Sequence, residues 1–221
     1  MGVEHGGKHD KIEFAEWDEA RLALLSLCFC QACQRRYAAA GVDPGHLAQL
    51  VRVGVDARSG AVEDCLGDEL AAAVAAVRTG IAKGLRAMLV ARCRLLDPEV
   101  RITVHGSDDP WATGSFATLQ PAVGEGIDGV VASCWDPAAG GQRISGLRAL
   151  AGPGTDVGAY LRLDRGWPVG ELTDRRLQEY LTSGMSELHL YHLGLLGQQG
   201  LARLRAVIDR TRALASPAGP G

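Results

Sequence analysis

From residue 99 onward the chain alternates between two textures. Short runs rich in β-branched residues stand at EVRITVHG (99–106), DGVVASCWD (128–136), DVGAYLRLD (156–164) and SELHLYHLG (186–194). Stretches with apolar residues at helical spacing fall at 139–150, 171–184 and 195–215. A period of two marks a strand and a period of 3.6 a helix. The half therefore reads as a succession of βα units with a spacing of about 30 residues, the pattern of a parallel sheet. Before residue 99 the texture is helical. EWDEARLALLSLC (16–28) has Trp17, Ala20, Leu24 and Leu27 on one face, and QACQRRYAAAG (31–41) is a second short helix closed by Gly41. Asp43 and Pro44 suit the N-cap and first position of the helix that follows. An alanine-rich helix runs from about 64 to 96, with Gly80 and Gly84 as expected interruptions. The opening MGVEHGG reads as the last residues of one more strand, and SPAGPG (216–221) as a disordered tail.

Two architectures accommodate five strands, each followed by helix: an open doubly wound sheet, or part of a (β/α)8 barrel. No G-x-G-x-x-G follows any strand, so a dinucleotide-binding sheet has little support. In a parallel barrel the working groups gather at the C-terminal ends of strands. Here those ends carry Glu4 and His5, then His105 with Asp108, Asp109 and Trp111, then Trp135 and Asp136, then Arg162 and Asp164, then Tyr191 and His192. Polar loops explain the aspartates. They explain Trp111, Trp135 and Trp167 less well, because indoles flanked by carboxylates suit stacking on sugar rings and bonding to hydroxyls. Packing anchors are the plainer reading of the same indoles. Alternation places Tyr160, Arg162 and Asp164 on one face of their strand, where an Arg–Asp pair is the plain alternative to a substrate contact. His105 and His192 end strands as candidate substrate or proton-carrying groups. His189 and His192 stand on opposite faces of theirs and form no metal pair.

Composition narrows the class. The chain has 221 residues, 47% hydrophobic, with a formal net charge of −3. That suffices for a sizeable core and lacks the basic excess that nucleic acid demands. The 29 glycines are about twice the usual share, which suits close helix–sheet packing. No segment reaches the run of about 18 apolar residues that spans a membrane, and the N-terminus has no signal-peptide or myristoylation pattern. A soluble cytoplasmic protein is expected. There, clustered cysteines serve more often as metal ligands or redox thiols than as structural disulfides.

Three of the six cysteines, Cys28, Cys30 and Cys33, lie within SLCFCQACQRR. The close C-x-C-x-x-C spacing supplies three ligands of a tetrahedral zinc site, with Cys65, His5 or His9 as the fourth. Small buried residues on a helix are the plain alternative. A redox pair at Cys30 and Cys33 ranks third, because such a pair opens a helix directly after a strand and here a helix comes first.

A strand-terminal Glu4 followed by LCFCQAC resembles the (β/α)8 β-galactosidases of glycoside hydrolase family 42, over roughly the first 35 residues. Across nearly the whole chain, GVEHG, LLSLCFCQACQRRYAAAGVDP, DPWATG and LHLYHLGL resemble an actinobacterial group of alanine-rich proteins with glycoside-hydrolase-like barrels. The resemblance implies Glu4 as general acid/base and Cys28, Cys30 and Cys33 as ligands of a structural zinc closed to substrate. It implies a carboxylate at the end of the seventh strand, where this chain has Asp164 in place of the family's Glu. If MGVEHG is the fourth strand, the first three are missing, and five strands cannot close a barrel of eight. A truncated product or a half-barrel that dimerises is then expected.

The expectation is an α/β fold, the C-terminal part of a (β/α)8 TIM barrel. It is a single domain over 1–215 with a helical zinc-binding insertion at about 14–96. It would act on or bind carbohydrate, with no nucleic-acid or membrane partner. Glu4 and Asp164 are the catalytic candidates. His105, Trp111, Trp135, Arg162, Tyr191 and His192 are those for substrate. A non-catalytic barrel remnant is the alternative.

Overall fold

The computed structural model describes residues 19–56, 60–112, 114–124, 126–162, 171–191, 194 and 196–215. The expected first strand at 1–5, with Glu4, His5 and His9, lies outside the described residues, as do Trp17, Asp164, Trp167, His192 and the tail. The chain forms two compact units, one of residues 1–86 with 109–120, the other of 87–108 with 121–221.

The first unit is helical: α1 (Glu19–Leu25), α2 (Gln31–Ala39), α3 (Pro44–Asp56), α4 (Val62–Leu66) and the greater part of α5 (Asp68–Leu96). Its core holds Leu24, Tyr37, Leu47, Val51, Val62, Leu66 and Val74. Asp43 accepts from the backbone N–H groups of Gly45 at 2.8 Å and His46 at 3.3 Å, so it caps α3 ahead of Pro44 as the sequence suggests. Gly54 lets α3 approach its neighbours. A Cβ there would stand 2.8 Å from Cys65 Sγ and 2.9 Å from Leu24 Cδ1.

Two helix readings need correction. The first helix stops at Leu25 rather than reaching residue 28: the Ser26 and Leu27 N–H groups bond the Ala23 and Leu24 carbonyls at 3.1 Å, a tightened last turn, and the chain leaves the helix. The alanine-rich stretch is two helices, parted at Gly67, whose φ of +76° breaks the ladder. Beyond it α5 runs 29 residues through Gly80 and Gly84. Each glycine costs about 1 kcal/mol in a helix interior, and the surrounding Ala, Leu and Arg residues, strong helix formers, carry the helix past both.

The second unit holds β1 (Thr103–Gly106), β2 (Gly129–Ser133), α6 (Gly140–Leu150), β3 (Asp156–Arg162), α7 (Glu171–Thr182), β4 (Glu187–Tyr191) and α8 (Gln198–Ala215). All strands pair in parallel, in the order β1-β2-β3-β4. The alternating and mixed α/β reading of this half stands. Among the described strands the order never reverses, whereas a doubly wound sheet has a switch point.

The two faces of the sheet differ. Val130, Ala132, Val157, Ala159 and Leu161 are buried on one, as are Ile144 and Leu147 of α6 and Leu177 and Tyr180 of α7. The register sets Thr103, Gly129 and Asp156 side by side on the other face, then His105, Val131, Gly158 and Glu187, then Ser133, Tyr160 and His189, then Arg162 and Tyr191. Ion pairs tie the strand starts: Arg94 to Asp128 at 2.7 Å, and Arg101 to both Asp156, at 2.8 Å, and Glu187. Asp128 also accepts from the Ile102 N–H at 2.6 Å.

Candidate functional site

Two side-chain clusters carry chemistry, one in each unit. The first lies on the open face of the sheet. Period-two alternation aims Tyr160 and Arg162 of β3, and Glu187, His189 and Tyr191 of β4, the same way as His105 of β1. Trp135, just past β2, joins them. The Tyr160 ring lies 4.9 Å from that of His105, 5.6 Å from Tyr191 and 6.2 Å from Trp135, centre to centre. Trp135 stacks on Tyr191 at 6.2 Å with 29° between planes. The Arg162 guanidinium sits over the indole.

His105 and His189 meet edge to face at 6.4 Å. Gly158 makes that meeting possible, since a Cβ there would stand 2.8 Å from His189 Cδ2 and 3.1 Å from Val131 Cγ2. His189 Nε2 lies 3.2 Å from Glu187 Oε2. Loss of ring hydration, with the His189 charge second, lowers the His105 pKa and favours its neutral form. Burial, then Tyr191, raises that of Tyr160. Among the described residues the face therefore offers flat aromatic rings edged by the Arg162 guanidinium and two imidazoles, with the Glu187 carboxylate paired to Arg101.

His105, Trp135, Arg162 and Tyr191 are brought together here. Trp111 is not among them. It packs against the core of the first unit, with Arg78 over its ring at 5.4 Å and bonded to its carbonyl oxygen at 3.0 Å. Asp109 accepts from the Trp111 N–H at 2.8 Å, and Asp136 from that of Ala138 at 2.9 Å. Asp108 faces α6, where a Cβ on Gly146 would collide with its carboxylate. Tyr160 and His189 belong to the cluster without having been singled out. For Tyr160 the signal was the alternation that sets it on one face with Arg162; for His189 it was its place two residues before Tyr191 on the same strand.

The second cluster is the thiols. Cys28 lies in the loop after α1, Cys30 occupies the N-cap position of α2 without a side-chain capping bond, and Cys33 is in its first turn. Their Sγ atoms all lie within 4.8 Å of one another. Three thiolates on a tetrahedral zinc at 2.3 Å stand about 3.8 Å apart, so the trio fits a metal after small side-chain adjustments. The Cys30 N–H donates to Cys28 Sγ at 3.5 Å, and Gln34 holds the loop through the Phe29 carbonyl at 2.7 Å.

Cys30 is exposed and its pKa is lowered to about 7, first by the backbone N–H of Cys33 and then by the Cys28 and Cys33 thiols. Cys33 is pushed up to about 12, first by burial and then by Cys28 and Cys30. The trio thus readily holds one negative charge, and a cation would hold the rest. Tyr37, buried beside the thiols, is raised to about 12, first by burial and next by Cys33. Cys65 lies apart from the trio, against Gly54, and supplies no ligand to it. The other fourth-ligand candidates, His5 and His9, are outside the described residues.

Among the described residues no helix is long and apolar enough to cross a membrane. No family model, curated protein or solved structure matches the chain.

Proposed function

We propose that the chain is a glycoside-hydrolase-like α/β protein that binds carbohydrate on the open face of its parallel sheet. The observation that carries this is the grouping of Trp135, Tyr160 and Tyr191 with Arg162, His105 and His189 where parallel strands end. Sugar rings present an apolar face of C–H bonds and a rim of hydroxyls. Aromatic planes take the first, and guanidinium and imidazole groups take the second. The uninterrupted strand order supports a sheet of the (β/α)8 type, in which this face lines the barrel.

In this reading Glu4 is the general acid and Asp164 the carboxylate across the cleft. A pair about 5–5.5 Å apart would retain anomeric configuration and one about 6.5–9.5 Å apart would invert it. In the same reading the Cys28, Cys30 and Cys33 trio holds a structural zinc, and clustered thiols suit a reducing compartment such as the cytoplasm. Asp164, where the resembling family has Glu, favours the second reading: a binding protein without turnover.

Calorimetric titration with galacto- and gluco-oligosaccharides, alongside nitrophenyl glycoside hydrolysis, tests both readings. Binding that weakens at least about tenfold in Trp135→Ala, the scale of one aromatic contact, supports the carbohydrate site. Turnover abolished in Glu4→Gln with binding retained supports the hydrolase; binding without turnover supports the second reading. No binding to any oligosaccharide overturns both. Elemental analysis showing zinc in the native protein and none in Cys30→Ser supports the metal site.

A further inference from the structure

We propose that Cys30 and Cys33 form a reversible disulfide at the start of α2, making the thiol trio a redox switch as well as a metal site. The sequence ranks a redox pair third because such a pair opens a helix directly after a strand. In the structure a helix and a loop still lead in: α1 ends at Leu25, residues 26–30 are not helical, and α2 starts at Gln31 with Cys30 in the N-cap position. The C-x-x-C pair does stand at a helix start, which is the half of that arrangement that exposes its first thiol.

Geometry distinguishes the members of the trio. Cys30 is exposed and Cys33 half-buried, so an oxidant in solution meets Cys30 first. The two thiols are one helical turn apart with Sγ atoms within 4.8 Å, and rotation about their side-chain bonds suffices to approach the S–S distance of about 2.05 Å. Cys28 is held differently: its sulfur accepts the Cys30 N–H in the loop. A Cys28–Cys30 bridge would also close a smaller, more strained ring. In this scheme Cys28 is the third ligand of a metal and stays outside the disulfide; its sulfur is also within 4.8 Å of Cys33, so the Cys28→Ser protein separates a Cys30–Cys33 bridge from a Cys28–Cys33 one.

With glutathione disulfide as oxidant the chemistry balances. The Cys30 thiolate attacks one sulfur of glutathione disulfide, the S–S bond breaks, and one glutathione leaves as thiolate. Cys33, its proton passed to solvent, attacks the Cys30 sulfur of the mixed disulfide. The second glutathione leaves and takes up a proton. Two protein thiols are oxidised and one glutathione disulfide is reduced to two glutathiones. The product has lost two of three metal ligands, so oxidation and metal retention oppose each other.

The test uses the full-length protein, metal-free and zinc-loaded, equilibrated in glutathione buffers of rising oxidised fraction, quenched in acid, alkylated and digested with trypsin. The peptide LALLSLCFCQACQR (22–35) carries Cys28, Cys30 and Cys33 and no other cysteine. The expected result is one alkyl group on this peptide instead of three. Cys28→Ser should keep the disulfide, and Cys33→Ser should stop at the glutathione adduct. Zinc at about ten times its dissociation constant should raise the oxidised fraction needed by about tenfold. Three alkyl groups under conditions that oxidise the same synthetic peptide would overturn the proposal, as would loss of the disulfide in Cys28→Ser. A disulfide that forms equally with and without zinc would support the switch and sink the zinc reading.

Discussion

The guanidinium carbon of Arg162 lies 5.3 Å from the centre of the Trp135 ring, across the ends of two neighbouring strands. That contact joins β3 to the segment leaving β2. Its loss in Arg162→Ala should lower stability by about 0.5–1 kcal/mol, the usual worth of an accessible cation–π pair. Urea unfolding of the two proteins at equal pH measures it. Arg162→Lys should recover part of the loss, because the charge is kept and the planar stacking is not.

His105 gives the sheet a pH response. Its ring packs on Tyr160 and meets His189, which is itself beside Glu187, and its pKa is lowered in the folded state. The unfolded chain therefore takes up a proton at higher pH than the folded one. Stability is full above the ordinary histidine value near 6.5 and falls as pH drops from there to the folded value, where the loss stops. Denaturant midpoints at pH 7.5 and 5.5 should differ by less in His105→Gln than in the native protein. A second loss belongs to Asp128 and Asp156. Their pKa values are lowered, the first mainly by the Ile102 N–H and then Arg94, the second mainly by Arg101 and then Ser186. It should begin near pH 4 and reach completion below it.

Cysteine reactivity should separate by position. Cys134 is fully buried, its N–H bonded to the Tyr160 carbonyl at 3.0 Å, and burial pushes its pKa up to about 12. Cys30 is exposed and held near 7. Iodoacetamide at pH 7 should label Cys30 first and leave Cys134 unlabelled until denaturant is added. Equal labelling rates at the two positions in the folded protein would contradict the arrangement.

Gly140 begins α6 against the side chain of Tyr180, which is buried and donates to the Pro137 carbonyl at 3.0 Å. A Cβ at position 140 would collide with the phenol ring. Gly140→Ala should therefore cost about 1–3 kcal/mol, as overpacking does, despite alanine's better helix propensity. Gly80→Ala, with open space around it on α5, should instead stabilise by about 0.4–1 kcal/mol. Thermal or urea unfolding of the pair tests the contrast.

Much of the second unit was legible because strands and helices leave different periods. The β-branched runs at 128–136 and 156–164 became β2 and β3, and alternation set Tyr160 and Arg162 on one face, to which the register adds Tyr191. What escaped depends on contacts between segments distant in the chain. Trp111 resembles Trp135 as an indole after a strand, but its ring packs on the core of the first unit under the guanidinium of Arg78, 33 positions away in the chain. His189 was judged against His192, its neighbour in sequence, whereas its structural neighbour is His105, reached over Gly158. The turn at Ser26, where the backbone tightens to bonds three residues back, puts Cys30 in the N-cap position of α2, and hydrophobic spacing does not encode it.

The succession β1-β2-β3-β4 has a consequence for how the protein is made. Each strand pairs with the one synthesised just before it, so no described strand waits for a partner still inside the ribosome. The sheet can grow by accretion, each new βα segment docking on an edge already formed. Loop-closure entropy is then met in short instalments rather than in one long-range step. Nascent chains halted once β3 has cleared the ribosome but β4 has not should already hold a three-stranded sheet, and β4 should be the last strand to gain protection from hydrogen exchange.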